Sequence, residues 1–107
     1  MMSGTDMKKA AELFTELRDY LVSLNDSGLY YQTRYACDTV RSLEAPEDAG
    51  EAEEIIRRAF RGLFPARGGL SDVVLWDGDQ ETRAAINEPL RRIEKELRTI
   101  VALHAAD

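Results

Sequence analysis

Cysteine is nearly absent from this chain: Cys37 is the single one in 107 residues, which excludes an internal disulfide and any thiolate cluster for zinc or iron and sulfur. The residue is expected to serve as a small buried hydrophobe. Histidine is as scarce, with His104 alone, so no second histidine or cysteine exists to build a nucleophile and base pair. No glycine-rich loop follows the P-loop or dinucleotide pattern, and Gly68-Gly69 reads only as a turn. Asp77 and Asp79 begin like a calcium loop, but the spacing fails within a few residues, as no glycine follows at the sixth position. No cofactor or metal is therefore expected. Apolar runs stay far below the roughly 18 residues of a membrane span, and Met1 to Lys9 lack the apolar core of a signal peptide. The expectation is a cytoplasmic protein with no membrane contact.

What is present is an ordinary globular balance, 44% hydrophobic and 32% charged, in a length that suits one domain with one core over residues 1–107. The net charge of -6 repels nucleic acid and anionic lipid and speeds the approach of a basic protein, so a protein partner is expected and nucleic acid is not. The one basic run, Arg57, Arg58, Arg61 and Arg67, is partly neutralised by glutamates one helical turn before it.

Apolar spacing predicts an all-α fold, a four-helix bundle-like domain with one short extended segment near residues 70–76. Met7, Ala10, Leu13, Phe14, Leu17, Leu21 and Leu24 form the stripe of a first helix, opened by Thr5 or Asp6 and closed at Asn25-Asp26-Ser27-Gly28. Leu29, Ala36, Val40 and Leu43 carry a second helix ending near Glu44. Pro46 is placed to begin a third, whose acidic start and Arg57, Arg58 and Arg61 suit the helix dipole; Ala52, Ile55, Ile56, Ala59, Phe60 and Leu63 form its buried side. Residues 70–76 have β-branched and aromatic character and read as an apolar strap, or as a single turn capped by Ser71. The last helix begins near Asp79 or, after a break at Pro89, near Asn87. Its seam of Ile86, Leu90, Ile93, Leu97 and Ile100 either closes the bundle or joins a homodimer, and three helices in need of a partner favour the bundle.

Two readings of function follow. Tyr30, Tyr31 and Tyr35 on a sparsely apolar helix, and Trp76 beside Asp72, Asp77 and Asp79, combine aromatic anchors with charge, as protein interfaces do. The competing expectation is that each ring packs on the chain's own core, and for Trp76 this is the favoured one. The other reading starts from Arg98 and His104, whose Arg-x5-His spacing resembles the motif of HEPN ribonucleases. That resemblance implies an RNA-cleaving dimer in which the imidazole moves a proton and the guanidinium stabilises phosphorane charge.

The run Gly68-Gly69-Leu70-Ser71-Asp72-Val73-Val74-Leu75, with Asn87 further on, resembles a small uncharacterised bacterial family of helical domains. In that family Asp72 would fix the turn by bonding backbone amides, and Asn87 would open the final helix. Such domains are similar in size and acidity to immunity proteins, which neutralise a bacterial toxin by covering its active site. The leading expectation is thus a non-enzymatic protein-binding domain of the immunity type, acting on a basic toxin through Tyr30, Tyr31, Asp72, Trp76, Asp77 and Asp79.

Overall fold

A computed structural model describes residues 2–103 and shows an all-α, four-helix bundle-like arrangement. Helix α1 spans Gly4–Leu24, α2 Tyr30–Glu44, α3 Ala49–Leu63 and α4 Gln80–Leu103, with short 3-10 turns at Ser27–Leu29 and Leu70–Asp72. The molecule measures 45 × 24 × 23 Å, and α1 packs against all three other helices. One continuous apolar cluster runs through them, including Phe14, Leu17 and Leu21 of α1, Ala36 of α2, Ile56 and Leu63 of α3 and Leu90, Ile93 and Leu97 of α4. Fully burying an aliphatic or aromatic side chain of this size contributes about 1.5–3 kcal/mol, so the stripes that define the helices also hold them together.

Helix boundaries follow from caps. Helix α1 starts earlier than expected: Ser3, rather than Thr5 or Asp6, accepts from the Asp6 amide at 3.1 Å and is the N-cap, while Met2 is buried beside it. A serine hydroxyl three residues before an acidic residue satisfies one of the orphan amides of the first turn. The helix ends where expected, with Asn25 in the left-handed conformation (φ 48°) and its N–H donating to the carbonyls of Leu21 and Val22. Helix α3 begins at Ala49, capped by the carboxylate of Asp48, while Glu51 reaches back to the amide of Glu47 at 2.8 Å. Pro46 therefore lies outside the helix it was expected to open; a reciprocal acidic cap outcompetes a proline start.

Helix α4 runs uninterrupted through Pro89. Its start is the earlier of the two considered: Asp79 accepts from the amide and hydroxyl of Thr82, and its own carbonyl accepts from the amide of Arg83. A proline in a helix deprives a preceding carbonyl of its donor and crowds that turn. The carbonyl so affected is that of Ala85; its neighbour, the Ile86 carbonyl, accepts from the hydroxyl of Tyr20 on α1, which ties this turn to the first helix. Burial, and then the charge of Glu88, pushes the Tyr20 hydroxyl above its ordinary pKa, which keeps it a donor. The seam of Leu90, Ile93, Leu97 and Ile100 is buried within the chain, so it closes the bundle. Cys37, expected in the core, is only half-buried on α2.

Candidate functional site

Between α3 and α4 the chain must turn back, and it does so through Gly68-Gly69. Gly68 has φ +78°, a conformation L side chains rarely adopt, and a Cβ on Gly69 would stand 2.1 Å from Pro65 Cδ and 2.8 Å from the Leu63 carbonyl. The side chain of Asp72 accepts from the Gly68 amide at 2.6 Å, the turn-fixing part the family resemblance implies for it. Residues 70–72 then make one 3-10 turn with Gly69, and not Ser71 as expected, at its N-cap, and the chain leaves it extended at Val73 (φ -77°, ψ 126°) with no helix or turn through residue 77, as the strap reading had it.

Side chains along residues 73–77 alternate. Val73 and Leu75 pack against the core cluster, whereas Val74 and Trp76 stand outward with 72% and 76% of their surface exposed. Exposure of Trp76 overturns the expectation that its ring packs on the core. The ring is instead covered on one side by the guanidinium of Arg83, 4.1 Å from its centroid, a cation–π contact worth about 0.5–1 kcal/mol at exposed sites.

The strap is held to α4 by polar side chains. Arg91 donates to the carbonyls of Ser71 (2.7 Å) and Leu70 (2.5 Å), with a long contact to that of Val73 (3.5 Å). Asn87 grips Leu75 from both ends, its Oδ1 accepting from the Leu75 amide at 2.7 Å and its Nδ2 donating to the Leu75 carbonyl at 2.8 Å. Arg83 Nε donates to the Asp77 carbonyl at 3.0 Å, and Ser71 donates to Glu94, which also pairs with Arg91 and Arg98. Asn87 thus sits inside α4 as a clamp, where the family resemblance implied a helix opener. Arg83, Arg91 and Glu94 were not singled out from the sequence. Their signal was present as a polar stripe, Arg83, Asn87, Arg91 and Glu94, at helical spacings of four, four and three.

Among the described residues, carboxylates without ion pairs gather in this region, as they do at the α2–α3 turn with Glu44, Glu47, Asp48 and Glu51, whereas much of the helix surface is paired. Glu53 and Arg57, Glu54 and Arg58, and the cluster of Glu16, Glu88 and Glu96 around Arg92 are ion-paired. Asp72, Asp77, Asp79 and Glu81 have no ion-pair partner among the described residues. Asp77 accepts from the Asp79 amide at 2.8 Å, and the hydroxyl and amide of Thr82 hold the Asp79 carboxyl below the usual aspartate pKa. These bonds orient the carboxylates and leave their charge uncompensated.

The second aromatic group lies at the start of α2. Tyr31 and Tyr30 are 83% and 53% exposed and meet edge to face at 5.5 Å, and Arg34 donates to the Tyr30 hydroxyl at 3.1 Å. Tyr35 lies apart from them, its hydroxyl at 3.4 Å from the Arg58 carbonyl across an open groove of about 190 Å³ between α2 and α3. Among the described residues, no hydrogen bond or ring contact joins Tyr30 and Tyr31 to the strap, so the six expected site residues are not bonded into one cluster. Arg98 pairs with Glu94 at 2.9 Å and lies 5.2 Å from the Phe60 ring centroid; His104 lies outside the described residues.

No protein-family model, curated protein or solved structure matches this chain. No helix among the described residues is long and apolar enough to cross a membrane.

Proposed function

We propose that this chain is a non-enzymatic protein-binding domain, in its most concrete form an immunity-type inhibitor that covers the functional surface of a basic toxin. The observation that carries this reading is the strap: Val74 and Trp76 stand in solvent on a segment pinned by Asn87 and Arg91 and flanked by carboxylates without ion pairs. Val74 and Trp76 together expose apolar surface that a partner can remove from water. Tryptophan is also the residue type that most often carries binding energy at protein interfaces. Fixing the segment beforehand lowers the entropy that docking must overcome, and uncompensated aspartates steer a basic partner toward it. Tyr30 and Tyr31 offer a second contact surface.

The test compares capture of a partner by the wild-type chain with capture by Trp76→Ala and by a Tyr30→Ala/Tyr31→Ala double variant. Trp76→Ala is expected to abolish capture while leaving the unfolding midpoint nearly unchanged, and co-expression of the wild-type chain, but not of Trp76→Ala, is expected to relieve the captured partner's toxicity. Capture and protection that survive Trp76→Ala would contradict the reading.

A further inference from the structure

Resting on that reading, we infer that the strap binds its partner by strand addition, taking a basic, extended peptide segment along the free edge of residues 73–77. The backbone groups of this segment divide by parity. The carbonyls of Val73, Leu75 and Asp77 and the amide of Leu75 are directed to α4, where Arg91, Asn87 and Arg83 bond them. In an extended chain, consecutive residues direct their N–H and C=O to opposite edges. The amides and carbonyls of Val74 and Trp76 accordingly have no hydrogen-bond partner among the described residues, and both residues are exposed. Four backbone groups at alternating register are the template an incoming strand uses, with specificity supplied by outward side chains, here Val74 and Trp76.

Ordinary proteins cover or blunt such an edge. In this chain it is presented, because the carboxamide of Asn87 stands in for a neighbouring strand on one side and leaves the other side open. Charge selects the occupant. Asp72, Asp77, Asp79 and Glu81 outnumber Arg67 and Arg83, the cations of this region that have no ion pair. A second copy of the chain would bring the same carboxylates together across the two strands, where like charges repel. Five residues of strap also offer far less than the roughly 800 Å² per partner of a stable interface, which suits a peptide segment rather than a dimer held by this edge alone.

The probe is an acetylated, amidated seven-residue peptide of alternating lysine and valine, titrated into the full chain. Binding is read from the fluorescence of Trp76, the sole tryptophan, and from amide-resolved NMR. Saturable binding is expected, weakened by salt, with hydrogen exchange of the Val74 and Trp76 amides slowed and that of Leu75 unchanged. Val74→Pro removes one free N–H and leaves the Asn87 clamp intact, and Val73 already has the φ of -77° and ψ of 126° that a following proline requires. This variant is expected to keep its fold, checked by Leu75 protection, and to bind at least tenfold more weakly. A probe N-methylated on alternate amides is expected to fail likewise, and a glutamate–valine probe not to bind.

Strand addition is overturned if the lysine–valine probe does not bind at millimolar concentration. Equal binding by Val74→Pro or by the N-methylated probe overturns it as well, as does a chain that sediments as a dimer dissociated by Val74→Pro. Partner capture separates the two levels. Loss with Trp76→Ala but not with Val74→Pro retains the docking surface and removes the strand mode, whereas retention in both removes the docking reading itself.

Discussion

Toward the other helices, α4 presents Leu90, Ile93, Leu97 and Ile100, all buried; toward residues 70–77 it presents Arg83, Asn87, Arg91 and Glu94, bonded to strap backbone and to Ser71. The first side is held by removal of apolar surface from water, which is strong and indifferent to the partner's backbone conformation. The second is held by directional hydrogen bonds, individually modest, that dictate which way each carbonyl points. Packing gives this molecule its fold, and polar pinning gives it an outward-facing edge. The two sides should therefore fail separately.

The largest effect is expected on the apolar side. Leu97→Ala, at a fully buried position, should lower global stability by about 2–5 kcal/mol, seen as a lower midpoint in chemical denaturation with the strap and helices unfolding together. Arg91→Met keeps the length of the side chain but removes the donors to Leu70 and Ser71. Charge-assisted bonds contribute about 1.5–3 kcal/mol each when buried, and Arg91 is partly solvated, so a total loss of about 1–2 kcal/mol is expected. That loss should appear first as faster exchange of the Leu75 amide. Arg91→Lys should not restore it, because an ammonium lacks the planar fork that spans neighbouring carbonyls.

Asn87→Asp is isosteric and should cost about 1 kcal/mol, since a carboxylate cannot donate to the carbonyls of Leu75 and Arg83. Acidification should partly reverse this loss by returning a donor, an inversion visible in the pH dependence of the unfolding midpoint. The smallest effect belongs to Asp79. Its folded pKa lies below the unfolded value, so its contribution to the start of α4 is complete above the ordinary aspartate pKa and is lost as pH falls through the folded value. Thr82→Val should move the Asp79 titration, followed by carboxyl NMR, upward toward the ordinary value.

These contrasts also explain what could be read in advance. Apolar stripes such as Leu13, Phe14, Leu17 and Leu21 repeat at the helical period, so the four helices and the closing seam of α4 were legible. Asn25 was legible as a stop because few residues accept left-handed backbone. Pro89 misled because a proline removes only one helical hydrogen bond, that to the Ala85 carbonyl, while the seam from Leu90 to Ile100 is buried in the bundle and carries the helix through it. Trp76 misled for a related reason: aromatic area predicts burial, and only the bonds from Asn87 and Arg83 turn that segment so that its ring faces outward. The polar stripe from Arg83 to Glu94 has the same periodicity as an apolar one, but a charged helix face is ordinarily solvated, and its target lies on another segment of the chain. The patch at Tyr30 and Tyr31 was legible by composition, while its lack of a bond to the strap among the described residues required the fold.

Amide hydrogen exchange resolved by residue along Val73–Asp77 of the free wild-type chain reads the pinned edge directly. A protected Leu75 flanked by Val74 and Trp76 exchanging near the rate of an unstructured peptide is the expected pattern. Uniformly fast exchange through all three, or protection of Val74 and Trp76 in the absence of any partner, would contradict a strap bonded on one side and open on the other.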